Sequence, residues 1–151
     1  MKYQKSFSKC KGTDYRETPG DVFDYWNNIF KFDTDVCATD GNKKVDNFIS
    51  EKKDGLLTAW GKVNWCNPPY SNIAPWLLKG VDEQKKGNTT VYLLPCDTST
   101  KWYNNIISVN GRCNIVNWPS RIKFGGSKNN APFGSSVVIL WGNFNDKNIL
   151  R

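Results

Sequence analysis

The sequence predicts an α/β protein built around a mostly parallel sheet, and two observations carry that prediction. Segments with helical and strand patterns alternate along the 151 residues, which favours a parallel sheet with helices packed against it. Thr89 to Leu94 and Ser136 to Trp141 are continuous runs of β-branched and apolar residues, as is typical of strands covered on both faces. A chain of this length suits one domain.

The N-terminal part of the chain predicts an arm followed by a helix. Residues 1–12 are rich in lysine and lack hydrophobic periodicity, so we interpret them as a flexible basic arm, with 13–151 as a single domain. Thr18 is a suitable N-cap and Pro19 fits the first position of a helix. The apolar residues that follow recur at helical spacing through about Phe30.

The other elements are predicted from apolar spacing and from the positions of glycine and proline. Residues 39–42 form a turn cluster and 125–130 a polar loop, and 43–53 suit an irregular segment or a short helix. The predicted strands and helices, in chain order, are a strand over 32–38, a strand over 62–66, a helix over 73–86, a strand over 89–94, a helix over 100–109, strands over 112–118 and 120–124, and a last strand over 136–141.

Composition excludes several classes of function. The chain contains no histidine, which removes hydrolases of the Ser-His-Asp and Cys-His type and histidine-ligated metal sites. Its five cysteines show no metal-binding spacing, so we expect no metal and interpret them as reduced thiols packed like small apolar residues. No apolar run is long enough for a membrane span, and we expect a soluble, cytoplasmic protein. A net charge of +7 suits a polyanionic partner.

Three polar segments follow predicted strands and should meet at one edge of the sheet. In parallel sheets, ligands bind beyond the carboxyl ends of the strands. Residues 35–38, 67–70 and 95–98 all fall there. The chain has no Gly-x-Gly-x-x-Gly fingerprint and no phosphate-binding loop of the Walker type, so ordinary dinucleotide and nucleoside triphosphate binding have little support.

The segment Asn67-Pro68-Pro69-Tyr70 has the chemistry of a clamp for a planar amino group. Asn67 offers a carbonyl acceptor, and the two prolines stiffen the backbone while removing two N–H donors. Tyr70 adds a ring on which a planar guest can stack. A simple proline-rich turn after a buried strand is the alternative interpretation.

These segments, in their order along the chain, resemble the small phage Dam-type DNA adenine-N6 methyltransferases. The resemblance extends from about Arg16 to Trp141. The matching blocks are Thr18-Pro19, Asp35-Val36-Cys37-Ala38 with Asn42, Asp54-Gly55-Leu56 with Trp60, Trp65 to Tyr70, Leu94-Pro95 with Thr98 to Trp102, Arg121 to Phe124, and Ala131-Pro132-Phe133.

The resemblance implies a fold and a cofactor. It implies a three-layer, Rossmann-like class I methyltransferase that uses S-adenosyl-L-methionine, with a mostly parallel central sheet and an antiparallel C-terminal strand. Thr18 resembles the segment that closes over the methionine end of the cofactor. The remaining cofactor-binding residues that the resemblance implies are Asp35, Cys37, Ala38, Asn42, Asp54 and Leu56.

The resemblance also implies the reaction. Asn67 and Pro68 would accept hydrogen bonds from the two N–H groups of an adenine amine, once the base has left double-stranded DNA. These hydrogen bonds would favour the transition state, because they become stronger as positive charge develops on nitrogen. Pro69 would stiffen the loop, and Tyr70 and Phe133 would stack on the base. Arg121 and Lys123 would contact the nucleic acid, although their alternation with apolar residues also suits a plain solvated strand face.

Several features leave alternatives open. The cofactor loop lacks Gly-x-Gly, and Cys96-Asp97 stand where the family carries a small residue and arginine. Asp54 also suits a plain turn, and Phe133 suits a core position. Related loops methylate RNA adenine or protein glutamine, and a non-catalytic relic that binds cofactor or DNA is the remaining alternative. The recognition sequence and oligomeric state are not encoded in any recognisable pattern.

Overall fold

The computed structural model describes residues 16–142, so the predicted arm over 1–12 lies outside the described residues. The elements are α1 (Gly20–Phe30), β1 (Thr34–Asp35), β2 (Val63–Cys66), α2 (Ile73–Lys85), β3 (Thr89–Pro95), β4 (Cys113–Asn117) and β5 (Ser135–Leu140). A 3₁₀ turn over Tyr70–Asn72 precedes α2, and a π-helical turn over Tyr103–Ile107 precedes β4. The predicted alternation of helices and strands is confirmed.

The five strands form one mixed sheet in the order β1-β2-β3-β5-β4. The first three run parallel, with Asp35 opposite Trp65 and Cys66 opposite Tyr92. Strand β5 lies antiparallel to β3, as expected, and β4 lies antiparallel to β5 at the edge. Because β1, β2 and β3 are parallel, the segments that follow them meet at one edge, which we call the carboxyl edge.

Alternate residues of the central strands face two separate cores. On β3, Val91 and Leu93 pack with the buried face of α1, whereas Tyr92 and Leu94 pack with residues of α2. The apolar run that suggested a strand buried on both sides is therefore explained by one helix on each face of the sheet. These cores fix the sheet and hold its carboxyl edge in place.

Helix α1 begins one residue later than its capping pattern suggests. Thr18 was predicted as the N-cap, but Pro19 occupies that position and no side chain caps the helix. The Pro19 carbonyl accepts the first helical hydrogen bond, from the Phe23 N–H. Thr18 is buried instead, and its hydroxyl is engaged by Asn67. A tertiary contact thus replaces the local cap.

Three further sequence predictions are wrong in detail. Residues 120–124 do not form a strand; apart from a single bridge between Gly125 and Glu17, this segment is irregular. The strand expected over 32–38 is reduced to Thr34–Asp35, and the backbone of Asp35 and Ala38 bonds to the irregular segment 47–49. Cys96 is exposed, in contrast to the packing expected of it, whereas Cys66 is fully buried.

Candidate active site at the carboxyl edge

A cleft opens at the carboxyl edge, where β1 and β2 end. Its cavity volume is about 30 Å³, within an opening of about 450 Å³ that includes space open to solvent. Residues from three segments that are distant in sequence line it together. Seven of the residues predicted from the sequence are among them: Thr18, Asp35, Cys37, Ala38, Asn42, Asn67 and Pro69.

Asp35 places a buried carboxylate in the wall of this cleft. Its side chain accepts the backbone N–H of Lys44 at 3.0 Å and, more weakly, that of Cys37 at 3.4 Å. Burial raises the pKa of Asp35 to about 6, and these hydrogen bonds, together with the charge of Lys44, only partly oppose the effect of burial. The site therefore holds a carboxylate that gains from a cationic ligand.

The predicted turn over residues 39–42 is confirmed and shapes the floor of the cleft. The Asn42 side-chain oxygen accepts the Thr39 N–H at 2.7 Å, and the Asn42 N–H is directed at the Thr39 hydroxyl and carbonyl. Asn42 thus closes the turn with its own side chain. These hydrogen bonds close the loop after β1, which contains no Gly-x-Gly segment.

Asn67 is oriented by two acceptors from the segment that precedes α1. Its Nδ2 donates to the Arg16 carbonyl and, at 3.0 Å, to the Thr18 hydroxyl. Both bonds hold the nitrogen, so the Oδ1 atom points away from them. Oδ1 is buried and has no hydrogen-bond partner among residues 16–142. An unpaired buried acceptor is costly, so Oδ1 would gain from pairing with an N–H donor.

Tyr70 is at the centre of an aromatic cluster beside Asn67. Its hydroxyl donates to the Leu93 carbonyl at 3.1 Å, and its ring lies 5.7 Å from Phe133 and 6.2 Å from Phe124, measured between centroids. Burial raises the pKa of Tyr70 well above its ordinary range, so the phenol stays neutral. The Arg16 guanidinium lies over the Tyr70 ring, 5.0 Å from its centroid.

Asp54 and Leu56 are not brought into the cleft. Asp54 has a left-handed backbone, with φ of 57°, and its Oδ1 accepts the Leu56 N–H at 3.0 Å. This is the turn geometry that the alternative interpretation describes. Leu56 is buried in the core on the α2 side, and the backbone at Gly55 lies close to the Val36 carbonyl. The segment therefore supports the end of β1, and the predicted cofactor contacts of both residues stay predictions.

Arg121 and Lys123 lie on an exposed segment beside the site. They alternate with the buried Ile122 and Phe124, as their pattern predicts. The segment then reaches Gly125, whose N–H donates to the Glu17 carbonyl at 2.9 Å. Both basic residues therefore lie on the same segment as Phe124, whose ring packs against Tyr70.

Five residues that line the cleft were not predicted as site residues: Arg16, Glu17, Thr39, Lys44 and Trp65. Lys44 and Glu17 form an ion pair at 3.6 Å that joins two segments far apart in sequence. No local pattern marks such residues, because their role depends on which segments meet. Within residues 16–142, no group of acidic or sulfur side chains is arranged to hold a metal ion. None of the helices described is long and apolar enough to cross a membrane.

Comparison with known proteins finds relatives of this chain among phage proteins. One is named DNA N-6-adenine-methyltransferase, from Haemophilus phage HP1 (strain HP1c1), and is 42% identical over 104 residues, which are 66% of this chain and 60% of the relative. Another carries the same name, from Escherichia phage T1, and is 34% identical over 93 residues, which are 60% of this chain. The match spans 39% of the T1 protein, so this chain corresponds to only part of the length of either relative.

The family comparison covers nearly the whole chain. The model described as DNA N-6-adenine-methyltransferase (Dam) matches residues 5–150, which include every segment that lines the cleft. On this match, the chain belongs to the DNA N-6-adenine-methyltransferase (Dam) family.

Proposed function

We propose that this protein transfers a methyl group from S-adenosyl-L-methionine to the N6 amino group of adenine in DNA. The family and the names of both phage relatives support this reaction. The observation that carries it is the unpaired, buried Oδ1 of Asn67, which is held by two hydrogen bonds to the neighbouring nitrogen. An amino group is the guest that would satisfy this acceptor.

We propose for the fold the three-layer, Rossmann-like arrangement of class I methyltransferases. One helix on each face of the sheet supports it, as do a cleft at the ends of parallel strands and an antiparallel β5. Ligand sites in such sheets lie beyond the carboxyl ends of the strands, which is where the cleft is.

The residues of the cleft fit a cofactor that is cationic at its reacting end. When bound, S-adenosyl-L-methionine supplies an electrophilic methyl group on a sulfonium. The buried Asp35 carboxylate, whose pKa is raised because few charges offset its burial, favours a positively charged ligand. Cys37, Ala38 and Asn42 form the adjoining wall, and Thr18 closes the cleft from the side of α1.

Asn67 and Pro68 activate the amine by accepting hydrogen bonds from its two N–H groups. The lone pair of an exocyclic adenine amine is delocalised into the ring, which makes the nitrogen a poor nucleophile. Acceptors at the Asn67 Oδ1 and the Pro68 carbonyl draw the two N–H bonds into a fixed plane and direct the lone pair toward the methyl group. Their hydrogen bonds strengthen as positive charge develops on nitrogen, so they stabilise the transition state. The new N–C bond forms as the C–S bond of the sulfonium breaks, and the methylated amine, which is then strongly acidic, loses one proton to water, so no strong general base is needed.

The aromatic cluster receives the base after it leaves the duplex. Tyr70 offers a ring face next to Asn67, and Phe133 extends the apolar wall. In the free protein, Arg16 covers the Tyr70 ring, so a base that stacks on this ring must displace the guanidinium. The displaced Arg16, with Arg121 and Lys123 nearby, is then available to phosphate oxygens of the DNA.

The net charge of +7 and the exposed basic residues favour a nucleic acid over the protein amide of the alternative hypothesis. They do not distinguish DNA from RNA, and the names of the relatives favour DNA. Because those relatives are phage proteins, we propose that the protein acts on DNA in the cytoplasm of the host cell.

The test replaces the acceptor alone. Asn67→Ala should lower methyl transfer to duplex DNA by at least about a thousandfold, because it removes a transition-state hydrogen bond and misplaces the amine. Cofactor affinity, measured by calorimetry, should stay within a few-fold of the unmodified protein. Labelled cofactor is supplied with DNA, RNA and unfolded protein in parallel. Near-normal transfer by the variant, or transfer by the unmodified protein only to RNA or protein, contradicts the proposal.

A further inference from the structure

We infer that Thr18 is a positioning residue for the reaction: its hydroxyl fixes the side-chain amide of Asn67 so that Oδ1 faces the amine to be methylated. This inference rests on the proposed function, and it adds a role for Thr18 other than contact with the cofactor. The observation behind it is the 3.0 Å hydrogen bond from Asn67 Nδ2 to Thr18 Oγ1, between residues 49 positions apart.

The position of Thr18 suits this role better than a capping role. The residue is 3% exposed and directly precedes Pro19, which limits the freedom of the backbone on one side. The helix that follows needs no cap from it, since Pro19 takes the N-cap position. The hydroxyl is therefore available to accept the hydrogen bond from Asn67, and burial keeps water from replacing it.

The orientation of the Asn67 amide matters because its two ends have nearly the same shape and opposite hydrogen-bonding character. With Nδ2 toward Arg16 and Thr18, the Arg16 carbonyl receives a donor and Oδ1 remains free for the amine. A half-turn of the amide would set Oδ1 against the Arg16 carbonyl oxygen and present Nδ2 to the amine, donor against donor. The Arg16 carbonyl thus selects the productive orientation.

Thr18 makes that orientation rigid. One hydrogen bond allows the amide plane to pivot about the Nδ2 position, whereas two acceptors in different directions fix the plane. An acceptor that is misdirected by a fraction of an ångström loses much of its effect on the transition state. Losing the hydroxyl should therefore slow methyl transfer while leaving the ligands bound.

The experiment compares three substitutions in the full chain. Thr18→Val keeps the shape of the side chain and removes the hydroxyl, and Thr18→Ser keeps the hydroxyl. Thr90→Val is the matched control, because Thr90 is fully buried on β3 and its Oγ1 has no hydrogen-bond partner among the described residues. Each protein is assayed for single-turnover methyl transfer to duplex DNA, for cofactor affinity by calorimetry and for thermal stability.

The expected result is a separation of rate from binding. Thr18→Val should transfer the methyl group about tenfold more slowly, which corresponds to about 1.4 kcal/mol and is within the range for one lost hydrogen bond. The rates are compared at saturating cofactor, so that a change in cofactor affinity at this cleft residue does not enter them. Thr18→Ser should recover most of the rate, and Thr90→Val should leave the rate unchanged. A normal rate in Thr18→Val overturns the inference, as does a loss confined to cofactor affinity.

A second measurement does not depend on turnover. In the free protein, the Asn67 side-chain NH₂ should exchange its hydrogens slowly with solvent, and in Thr18→Val this exchange should be faster by about tenfold. Unchanged exchange overturns the positioning role even if the protein methylates DNA. Faster exchange in a protein that methylates none of the substrates supports the contact and rejects the proposed function instead.

Discussion

Two buried carboxylates at opposite ends of the sheet have opposite electrostatic environments. Glu83 lies near the end of α2, beside the start of β3, whereas Asp35 ends β1 at the carboxyl edge. Both are at least 97% buried, at 1% and 3% exposure. The pKa of Glu83 is lowered, while that of Asp35 is raised to about 6. The difference shows which end is built for stability and which end retains unmet interactions.

The Glu83 carboxylate is fully paired with side chains of the protein itself. Burial acts to raise its pKa, but hydrogen bonds from Asn88 at 2.8 Å and from Lys79 and Lys86 at 3.2 Å together lower it. The neighbouring Gln84 donates to the Trp141 carbonyl at 2.9 Å, which ties the helix to β5. This end is a connected polar network, and its hydrogen bonds offset the cost of burial.

The carboxyl edge is different because the Asp35 carboxylate and the Asn67 side-chain oxygen are incompletely paired. Asp35 accepts two backbone N–H bonds but no side-chain hydrogen bond from a cation among the described residues, and the Asn67 Oδ1 has no partner there. Groups of this kind reduce stability in the free protein. They are also the groups that a ligand can satisfy, which is why perturbed pKa values concentrate at functional sites.

The largest effect on stability should come from breaking the satisfied network. Glu83→Gln should lower the free energy of unfolding at pH 7 by about 3 kcal/mol, because it leaves the mostly buried Lys79 without its counter-charge. Urea unfolding measures this. The rate of methyl transfer per folded molecule should not change, since the network is distant from the cleft.

Asp82→Asn is the matched control for Glu83→Gln. Asp82 pairs with Lys85 at 4.0 Å on the exposed side of the same helix, so its loss should change stability by less than about 0.5 kcal/mol. The pKa of Glu83 is lowered on folding, so its contribution is present above the unfolded pKa and is lost as pH falls through the folded value. Equal destabilisation by both variants would contradict the comparison.

Asp35 should show the opposite pH dependence. Its folded pKa of about 6 is above the usual 3.8, so the stability it contributes is full below about pH 3.8 and is lost as pH rises through about 6. The unfolding free energy of Asp35→Asn relative to the unmodified protein should therefore rise by about 3 kcal/mol between pH 3.5 and pH 7. Urea titrations at a series of pH values measure it, and a flat difference would contradict the raised pKa.

The same carboxylate should make cofactor binding depend on pH. A cationic ligand favours ionised Asp35, so the affinity should fall by up to about tenfold per pH unit below pH 6. Asp35→Asn should bind more weakly at pH 7 and lose most of this dependence. Calorimetry between pH 5 and pH 8 tests the expectation. Asp33→Asn is not a suitable control, because the Asp33 carboxylate accepts hydrogen bonds from the backbone at the start of β2.

Tyr70→Phe should separate the structural role of the hydroxyl from the role of the ring. It removes the bond to the Leu93 carbonyl and should lower the unfolding free energy by about 1 kcal/mol. The ring and its contact with Phe133 remain, so methyl transfer should stay within about threefold. Tyr70→Ala should reduce transfer much more. Equal rates for the two variants would exclude stacking on this ring.

The smallest effects should come from the exposed basic residues beside the cleft. Arg121→Ala and Lys123→Ala should each weaken duplex binding by a few-fold and reduce the slope of log affinity against log salt by about 1. Lys85→Ala is the control, since Lys85 is exposed at the far end of α2. Fluorescence anisotropy at salt concentrations from about 50 to about 200 mM measures the slopes. A normal slope in both variants would mean that DNA binds to another surface of the protein.

Much of the fold could be predicted because its signals are local. Apolar periodicity located α1 and α2, and continuous apolar runs located β3 and β5 within a residue or two. The prediction failed over 120–124 because alternating burial also occurs in irregular chain, where Ile122 and Phe124 fill the core without pairing as a strand. It also failed at Thr18, since a hydroxyl before Pro19 suits both a cap and a tertiary contact.

The sequence by itself determined the elements, the segments that gather at the carboxyl edge, and the Asn67 to Tyr70 loop, because each depends on residues adjacent in the chain. Only the tertiary structure decided how that loop is held. The Arg16 carbonyl and the Thr18 hydroxyl reach Asn67 across 51 and 49 residues, and no periodicity encodes such a pairing. The direction in which the Asn67 amide points is set by these two acceptors, which lie in the segment before α1.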